Sequence, residues 1–357
     1  MKRIVLTGGG SAGHVSPHLS LIPRLLDAGY EIHYIGRSSG IEYDLIRPIQ
    51  GVTYHSVSSG KLRRYFSVTN FTDVFRVVWG TAQAFGLIRQ LKPDVCFSKG
   101  GFVSIPVVIA AHFRRVPTVC HESDLTPGLA NRISARFADY VATTFPECAD
   151  CLGEKGVATG TPLRPELFQG SRERGLRLAG FTGNKPVLLV TGGSQGARAI
   201  NQGLRECLPE LLKRMDVLHL CGSGHLEESL QGLAGYAQFE FLKDDMADAL
   251  AAADIALGRA GSNTLSELLA LRKPMLLIPY PLTASRGDQI KNAESFAAQG
   301  FAHVLPQEEL SAETLTRALL TLLEQKDGMQ AAMEACPVQN GTDAVLTLIE
   351  NVQTRRR

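Results

Sequence analysis

At 357 residues the chain is too long for one ordinary core and suits two domains. Hydrophobic residues at 44% and charged residues at 20% are the balance of a folded, soluble chain and exclude a disordered polymer. A formal net charge of +2 gives no bulk reason to expect a nucleic-acid partner.

Ile4–Thr7 reads as a buried parallel strand that runs straight into Gly8-Gly9-Gly10-Ser11-Ala12-Gly13-His14. Met1-Lys2-Arg3 is basic, but the run behind it reaches glycines after a few apolar-type residues, which is not the pattern of a signal peptide. Val15–Ala28 follows as a helix, with Pro17 tolerated in its first turn and Pro23 bending its middle. Glu31–Ile35 is the next strand and closes a βαβ unit. Gly40–Pro48 reads as a short helix, Val52–Ser56 as a strand, and Lys61–Tyr65 as a basic loop. Phe66–Leu91 is a long helix carrying Phe71, Phe75, Val78, Trp79 and Phe85. Val95–Ser98 is a strand leading into a third glycine turn, Lys99-Gly100-Gly101-Phe102. The apolar run Phe102–Phe113 falls far short of the ~20 residues that span a bilayer. Thr118–Cys120 is a strand ending in His121-Glu122-Ser123-Asp124, and a helix starts at Pro127-Gly128-Leu129. Tyr140–Thr143 and Val157–Thr159 are the last strands of this half.

Gly160-Thr161-Pro162-Leu163-Arg164-Pro165 is the turn-rich boundary. It gives a first domain over 1–161 and a second over 162–340, with a helix at about 341–357 returning to the first. The second half repeats the alternation. Strands are expected at Val187–Thr191, Val217–Cys221, Phe239–Leu242, Ile255–Leu257 and Met275–Ile278. Helices are expected at Ala197–Lys213, Asp245–Ala253, Asn263–Leu271, Asp288–Gln299, Ala312–Glu324 and Thr342–Val352. Such alternation predicts two α/β halves with parallel sheets, facing one another across a cleft, and ligands at the carboxyl edges of the strands.

Gly192-Gly193-Ser194-Gln195-Gly196 after the strand at Val187 matches Gly9-Gly10-Ser11-Ala12-Gly13 after the strand at Ile4. A strand, a glycine turn and a helix together present backbone N–H groups and a helix dipole, a device that holds phosphate or a sugar close to one. Neither turn is GxxxxGK[ST], and neither matches GxGxxG with an acidic residue ending the next strand, so a P-loop ATPase and a dehydrogenase are disfavoured. His14, where the first turn becomes a helix, is expected to be neutral and able to take a proton from a hydroxyl nucleophile. His121-Glu122-Ser123-Asp124 is expected on the rim, either with its carboxylates holding sugar hydroxyls or assisting proton transfer, or as a polar loop that caps the next helix. Ser262 or Asn263 is expected to cap its helix, with Glu267 one turn inside and placed to accept both hydroxyls of a ribose. Cys148-x-x-Cys151 stands apart from the glycine turns. The seven cysteines are scattered and suit a reducing compartment. No second His or Cys stands at metal-ligand spacing from His121, so no zinc site is read there. Lys61, Arg63, Arg64, Arg76 and Arg89 surround an aromatic stretch with Phe75 and Trp79. This is the pattern of a peripheral contact with an anionic membrane, although Trp79 in a core would read the same way.

In order along the chain, GGGSAGHVSP, FSKGGFVSIPVVIAA, CHESDLTPGLANR, GTPLRPEL, VTGGSQGARAIN, RAGSNTLSELLA and GDQIKNA resemble the MurG family of peptidoglycan glycosyltransferases. The resemblance covers essentially the whole chain. It implies an α/β GT-B fold of two Rossmann-like domains with parallel sheets facing a deep cleft. It also implies inverting transfer of N-acetylglucosamine from UDP-GlcNAc to the C4 hydroxyl of the muramic acid sugar of lipid I, giving lipid II, at the cytoplasmic face of the bacterial cell membrane. No cofactor and no divalent metal are implied, UDP-GlcNAc being a substrate.

Carried over by motif, Ser11, Ala12 and Gly13 approach the donor sugar and its phosphates, and His14, helped by Glu122, is the base. Ser194 with Gln195 holds the diphosphate, and Arg164 reaches the nucleotide. Glu267, on the helix with Asn263 and Thr264, holds the ribose. The backbone near Lys243 pairs with uracil, and Gln289 binds the GlcNAc hydroxyls. Many members carry Asn where this chain has Asp124, which loses a donor to the sugar, and Gln-Gln where it has Asp288-Gln289. The rival readings are another GT-B glycolipid glycosyltransferase, a UDP-GlcNAc 2-epimerase and a non-catalytic nucleotide-sugar-binding protein.

Overall fold

The structure is a computed structural model that describes residues 2–58, 69–193, 196–283, 285–337 and 340–354, with the side chains at 69–78 left aside. Lys61, Arg63, Arg64, Ser194 and Gln195 lie outside the described residues, as do the side chains of Phe75 and Arg76. The chain divides into two compact units, Met1–Arg164 with Asn340–Arg357, and Pro165–Gln339.

Unit 1 runs β1 (Lys2–Gly8), α1 (Ser16–Asp27), β2 (Tyr30–Gly36), α2 (Ile41–Ile46), β3 (Val52–Ser56), α3 (Thr69–Leu91), β4 (Val95–Gly100), α4 (Ser104–Phe113), β5 (Thr118–Glu122), α5 (Leu129–Phe137), β6 (Tyr140–Thr143), α6 (Pro146–Leu152) and β7 (Gly156–Ala158). Among the described residues its sheet has seven parallel strands in the order β3-β2-β1-β4-β5-β6-β7. The order reverses between β1 and β4, the place where open α/β sheets bind ligands. The jump sets Gly100 against Gly8, and Gly9 N donates to Gly100 O at 3.3 Å. Gly101 has φ +88°, and a Cβ there would run into the Gly9 carbonyl oxygen, so only glycine lets the two turns close.

Two expected strand ends move by two residues. β4 continues through Lys99 and Gly100, and β5 through His121 and Glu122, because their backbones stay in the ladder and their side chains are buried. α1 runs through Pro23 to Asp27.

Unit 2 runs α7 (Arg172–Ala179), β8 (Val187–Thr191), α8 (Arg198–Leu211), β9 (Asp216–Leu220), β10 (Tyr236–Phe239), α9 (Met246–Ala252), β11 (Ile255–Gly258), α10 (Ser262–Ala270), β12 (Met275–Leu277), α11 (Asp288–Ala298), β13 (Ala302–Val304) and α12 (Ala312–Glu334). Among the described residues its parallel sheet has six strands, β10-β9-β8-β11-β12-β13, with the same reversal between β8 and β11. β10 begins at Tyr236 instead of the expected Phe239, because Tyr236 is the residue that pairs with Val217 and buries its ring. α7 and β13 were not anticipated. α7 is capped by Ser171, whose Oγ accepts from Arg174 N, and is tied to α9 by the Arg174–Asp248 ion pair at 2.7 Å. α12 extends ten residues past its expected end, where Met329 and Met333 find burial one turn apart.

The last helix, α13 (Thr342–Thr354), belongs to unit 1. Val345, Ile349 and Val352 lie on one helical face and enter the cluster of Ile4, Leu21, Tyr30 and Phe97. Each such side chain, fully buried, contributes about 1.5–3 kcal/mol. Tyr30 donates its hydroxyl to Gln353 Oε1 at 3.0 Å. Among the described residues no helix is long and apolar enough to cross a membrane.

Candidate functional site

In unit 1 the turn after β1 is already occupied by an anion of the chain itself. Glu42 Oε2 accepts from Gly10 N at 3.1 Å, while Glu42 Oε1 accepts from Arg37 Nε at 2.7 Å. Burial raises the cost of its charge, yet Arg37 and the Gly10 N–H hold its carboxyl below the usual range. The amides of Gly9 and Gly10 are thus committed within the chain, to Gly100 O and to Glu42 Oε2.

His14 closes the short 3-10 turn Ala12–His14. Its Nδ1 lies 3.0 Å from Gly9 O and 3.0 Å from Ser11 Oγ. Burial, then the Lys99 ammonium, pushes the half-buried imidazole down to about 4, against the pull of Gly9 O, Asp124 and Glu42. The ring is neutral at pH 7 as expected, but burial is the main cause where the sequence suggested the helix terminus.

The rim expected at His121–Asp124 is instead a buried strand end. Glu122 Oε1 accepts from Ser123 N at 2.7 Å and Asp124 N at 3.0 Å; its Oε2 accepts from Gly128 N at 3.0 Å and Asn131 Nδ2 at 2.9 Å. Those donors fill the carboxylate, so Glu122 shapes the loop and does not fit the part of a helper base. Burial pushes its carboxyl up, with the Lys99 ammonium pulling back. His121 is buried and donates Nε2–H to Gly160 O at 3.0 Å. Asp124 is half-buried, and its charge acts on both His14 and Lys99.

Lys99, read in the sequence only as part of a glycine turn, is buried in β4 and donates to Ser123 Oγ. A lysine close behind the apolar run Val95-Cys96-Phe97 was the available signal. Glu42 carried no such signal. The structure thus gathers His14, Asp124, Lys99 and Glu42 into one electrostatic neighbourhood. Ser11 and Ala12 are exposed beside it and Gly13 is half-buried.

In unit 2, Gly192, Gly193 and Gly196 link β8 to α8. Gly193 N donates to Thr191 Oγ1 at 3.3 Å, and Gly196 N to Gly193 O at 2.9 Å. Ala197 at the N-cap of α8 supplies no side-chain acceptor, so the amide end of this 14-residue helix keeps its polarity. α10 is preceded by Gly261, not capped by Ser262 or Asn263. Ser262 is the first helical residue, buried, with its carbonyl accepting from Ser266 Oγ at 2.9 Å. Asn263, Thr264 and Glu267 are half-buried at helical spacing, between buried Leu265, Ser266, Leu268 and Leu269.

Gln289 Oε1 accepts from Tyr280 N at 3.2 Å, and Asp288 pairs with Arg286 at 2.8 Å. Asn292 Nδ2 donates to Ala260 O at 3.2 Å, which ties α11 to the turn before α10. Lys243 is exposed in coil beyond β10. The sequence reading missed its neighbour Phe241, an apolar ring that is 63% exposed. Arg164, half-buried, ends unit 1 next to Leu163, whose amide is held by Asn340 and Thr342.

Trp79 on α3 is 63% exposed, so it is no core residue. Phe113, at the end of α4, is 65% exposed, and its ring centroid lies 6.1 Å from that of Phe85 on α3. His112, Arg114 and Arg115 are exposed around it. The sequence reading missed Phe113 because it lies on a different helix. Cys148 is buried in α6 while Cys151 is exposed, and both are free thiols. Among the described residues no group of three or more His, Cys, Asp or Glu is placed to hold a metal ion.

Residues 4–143 match the glycosyltransferase family 28 N-terminal domain, and residues 187–347 match the family 28 C-terminal domain. A protein of Clostridium tetani named UDP-N-acetylglucosamine–N-acetylmuramyl-(pentapeptide) pyrophosphoryl-undecaprenol N-acetylglucosamine transferase is 48% identical over 356 residues, 99% of each chain. A protein of the same name from Clostridium kluyveri is 51% identical over 351 residues, 98% of this chain and 99% of its own. Among solved structures, that of Acinetobacter baumannii MurG matches with a TM-score of 0.80 at 25% identity, covering 98% of this chain and all of that one.

Proposed function

The chain belongs to glycosyltransferase family 28, and on that footing we propose that it transfers N-acetylglucosamine from UDP-GlcNAc to the C4 hydroxyl of the muramic acid sugar of lipid I, forming lipid II. The observation that carries this reading is identity near 50% over almost the full length of transferases of that name.

In this reading unit 2 holds the donor. Ser194, Gln195 and the amide end of α8 bind the diphosphate, and Arg164 reaches the nucleotide. Glu267, with Asn263 and Thr264, takes the ribose. The backbone near Lys243 pairs with uracil, and Gln289 meets the GlcNAc hydroxyls. The helix dipole and backbone N–H groups stabilise the leaving diphosphate in place of a divalent ion. Unit 1 supplies His14, with Ser11, Ala12, Gly13 and Asp124 on the sugar side. The acceptor O4–H attacks the anomeric carbon from the face opposite the diphosphate. The new C–O bond forms as the bond to the diphosphate oxygen breaks, the configuration inverts, UDP leaves, and the acceptor proton passes to His14 Nε2. Support for His14 comes from its neutral ring and its Nδ1 bond, which leaves Nε2 as the basic nitrogen.

The same reading places the enzyme peripherally on the cytoplasmic face of the membrane. Trp79 and Phe113 would be the apolar contact, and Arg114 and Arg115, with Lys61, Arg63, Arg64 and Arg76, the basic rim for anionic lipid. The deciding experiment follows UDP release from UDP-GlcNAc with and without a lipid I analogue, in the presence of a chelator. UDP that appears only with acceptor, and without divalent metal, is expected. UDP-ManNAc made without acceptor would instead identify an epimerase, and donor binding with no UDP release a sensor.

A further inference from the structure

Unit 2 contains a buried polar chain that the reaction, as proposed, does not use. Tyr236, His219 and Asn201 are buried on β10, β9 and α8. Asn201 Nδ2 donates to the Cys221 carbonyl oxygen at 2.8 Å, which fixes Asn201 Oδ1 as the acceptor facing His219 Nε2 at 3.0 Å. His219 therefore carries its proton on Nε2, and its Nδ1 accepts from the Tyr236 hydroxyl at 2.9 Å. Each link has one donor and one acceptor, so the chain has a single direction. Burial, then the Arg205 guanidinium, pushes the imidazole down to about 3, so the neutral tautomer persists at working pH.

The chain ends at a carbonyl with a second task. Gly196, the last glycine before α8, has φ +74°, and a Cβ there would collide with the same Cys221 oxygen. Cys221 N in turn donates to Phe239 O at 2.9 Å, and Gly222 N to Glu240 O at 3.0 Å, at the start of the stretch that leads to Lys243. Asn201 itself lies in the first turn of α8, its N bonded to Ala197 O at 2.9 Å. One carboxamide thus joins the amide end of α8, the close approach of Gly196 and the carboxyl ends of β9 and β10.

We infer that His219 is a positioning residue: held by Tyr236, it orients Asn201, and through Asn201 it sets the amide end of α8 against the donor's diphosphate. The inference rests on the diphosphate reading of that helix end. Dipoles stabilise a leaving group only when they are aimed before it forms, and a side chain with one fixed hydrogen-bond direction supplies that aim.

The test compares His219→Leu, His219→Gln and Tyr236→Phe with the parent enzyme. Measured are inhibition constants for UDP and for uridine, kcat and KM for UDP-GlcNAc, and Tm. A glutamine amide can donate to Asn201 and accept from Tyr236, so His219→Gln is expected to stay near parent values. His219→Leu should weaken UDP about tenfold and lower kcat, with uridine changed less than about twofold, and Tyr236→Phe should move the same way by a smaller factor. Should His219→Leu fail to fold, Tyr236→Phe against His219→Gln carries the comparison. UDP and uridine weakening together, or a fall in Tm alone, would overturn the inference and leave the diphosphate reading standing. A parent enzyme that binds UDP no better than uridine would overturn both.

Discussion

His14 Nδ1 lies 3.0 Å from the Gly9 carbonyl oxygen, and a carbonyl only accepts. The proton therefore sits on Nδ1, and the lone pair is on Nε2, the nitrogen a general base needs. His14→Ala should lower kcat by about two to four orders of magnitude while KM for UDP-GlcNAc and the affinity for UDP stay near parent values. Unchanged turnover would remove the residue from the mechanism.

The acid limb of the pH–rate profile follows from the same ring. A base works only when unprotonated, so with His14 held down to about 4, activity should persist well below the usual histidine range. Lys99 contributes to that depression. Lys99→Met should move the acid limb of kcat/KM upward, and a profile that does not move would show that the ammonium has no hold on the base.

Glu42 bridges Arg37 and the Gly10 amide from a buried position. Glu42→Ala leaves a guanidinium and a backbone N–H without their acceptor and should cost about 3 kcal/mol, read as a fall in Tm. Glu42→Gln, which keeps the shape and loses the charge, should cost less.

Acid should also unfold the protein early. His18 and His219 are pushed down to about 3, His14 to about 4, and His121 well below its ordinary value, burial being the main cause in each. Folding keeps these rings neutral, whereas the unfolded chain protonates them below about pH 6.5. Their stabilisation is complete above that value and is lost as pH falls toward the folded values, at about 1.4 kcal/mol per pH unit for each ring. The urea midpoint should fall between pH 7.5 and 5; a flat response would contradict the assigned neutral rings.

Trp79→Ser with Phe113→Ser should release the protein from vesicles containing anionic phospholipid, seen by sedimentation, while kcat with a water-soluble acceptor analogue holds. High salt should weaken parent binding, since the basic rim is screened. Retention of the double variant on vesicles would place the contact elsewhere.

Much of the fold was written locally. Buried parallel strands such as Val187–Thr191 show as short apolar runs, and glycine turns mark where they end. That is why strand–turn–helix units, and the positions of His14 and Glu267 on them, were readable in advance. Strand ends failed where polar residues were buried: Lys99, His121 and Glu122 look like loop residues until their partners are known.

By itself, then, the amino-acid order determined the alternation of strands and helices, two matched glycine turns, and a motif series sufficient to place the family. Only the tertiary structure decided that β4 lies beside β1 and β11 beside β8, that Glu122 is filled by the donors of its own loop, and that Glu42 occupies the first turn. It also decided that Phe113 joins Phe85. The reason is the range of the forces involved. Periodicity and turn propensity act over a few residues, whereas a buried polar atom must be satisfied by whatever the fold brings to it: Glu42 reaches Gly10 across 32 positions, and His121 reaches Gly160 across 39.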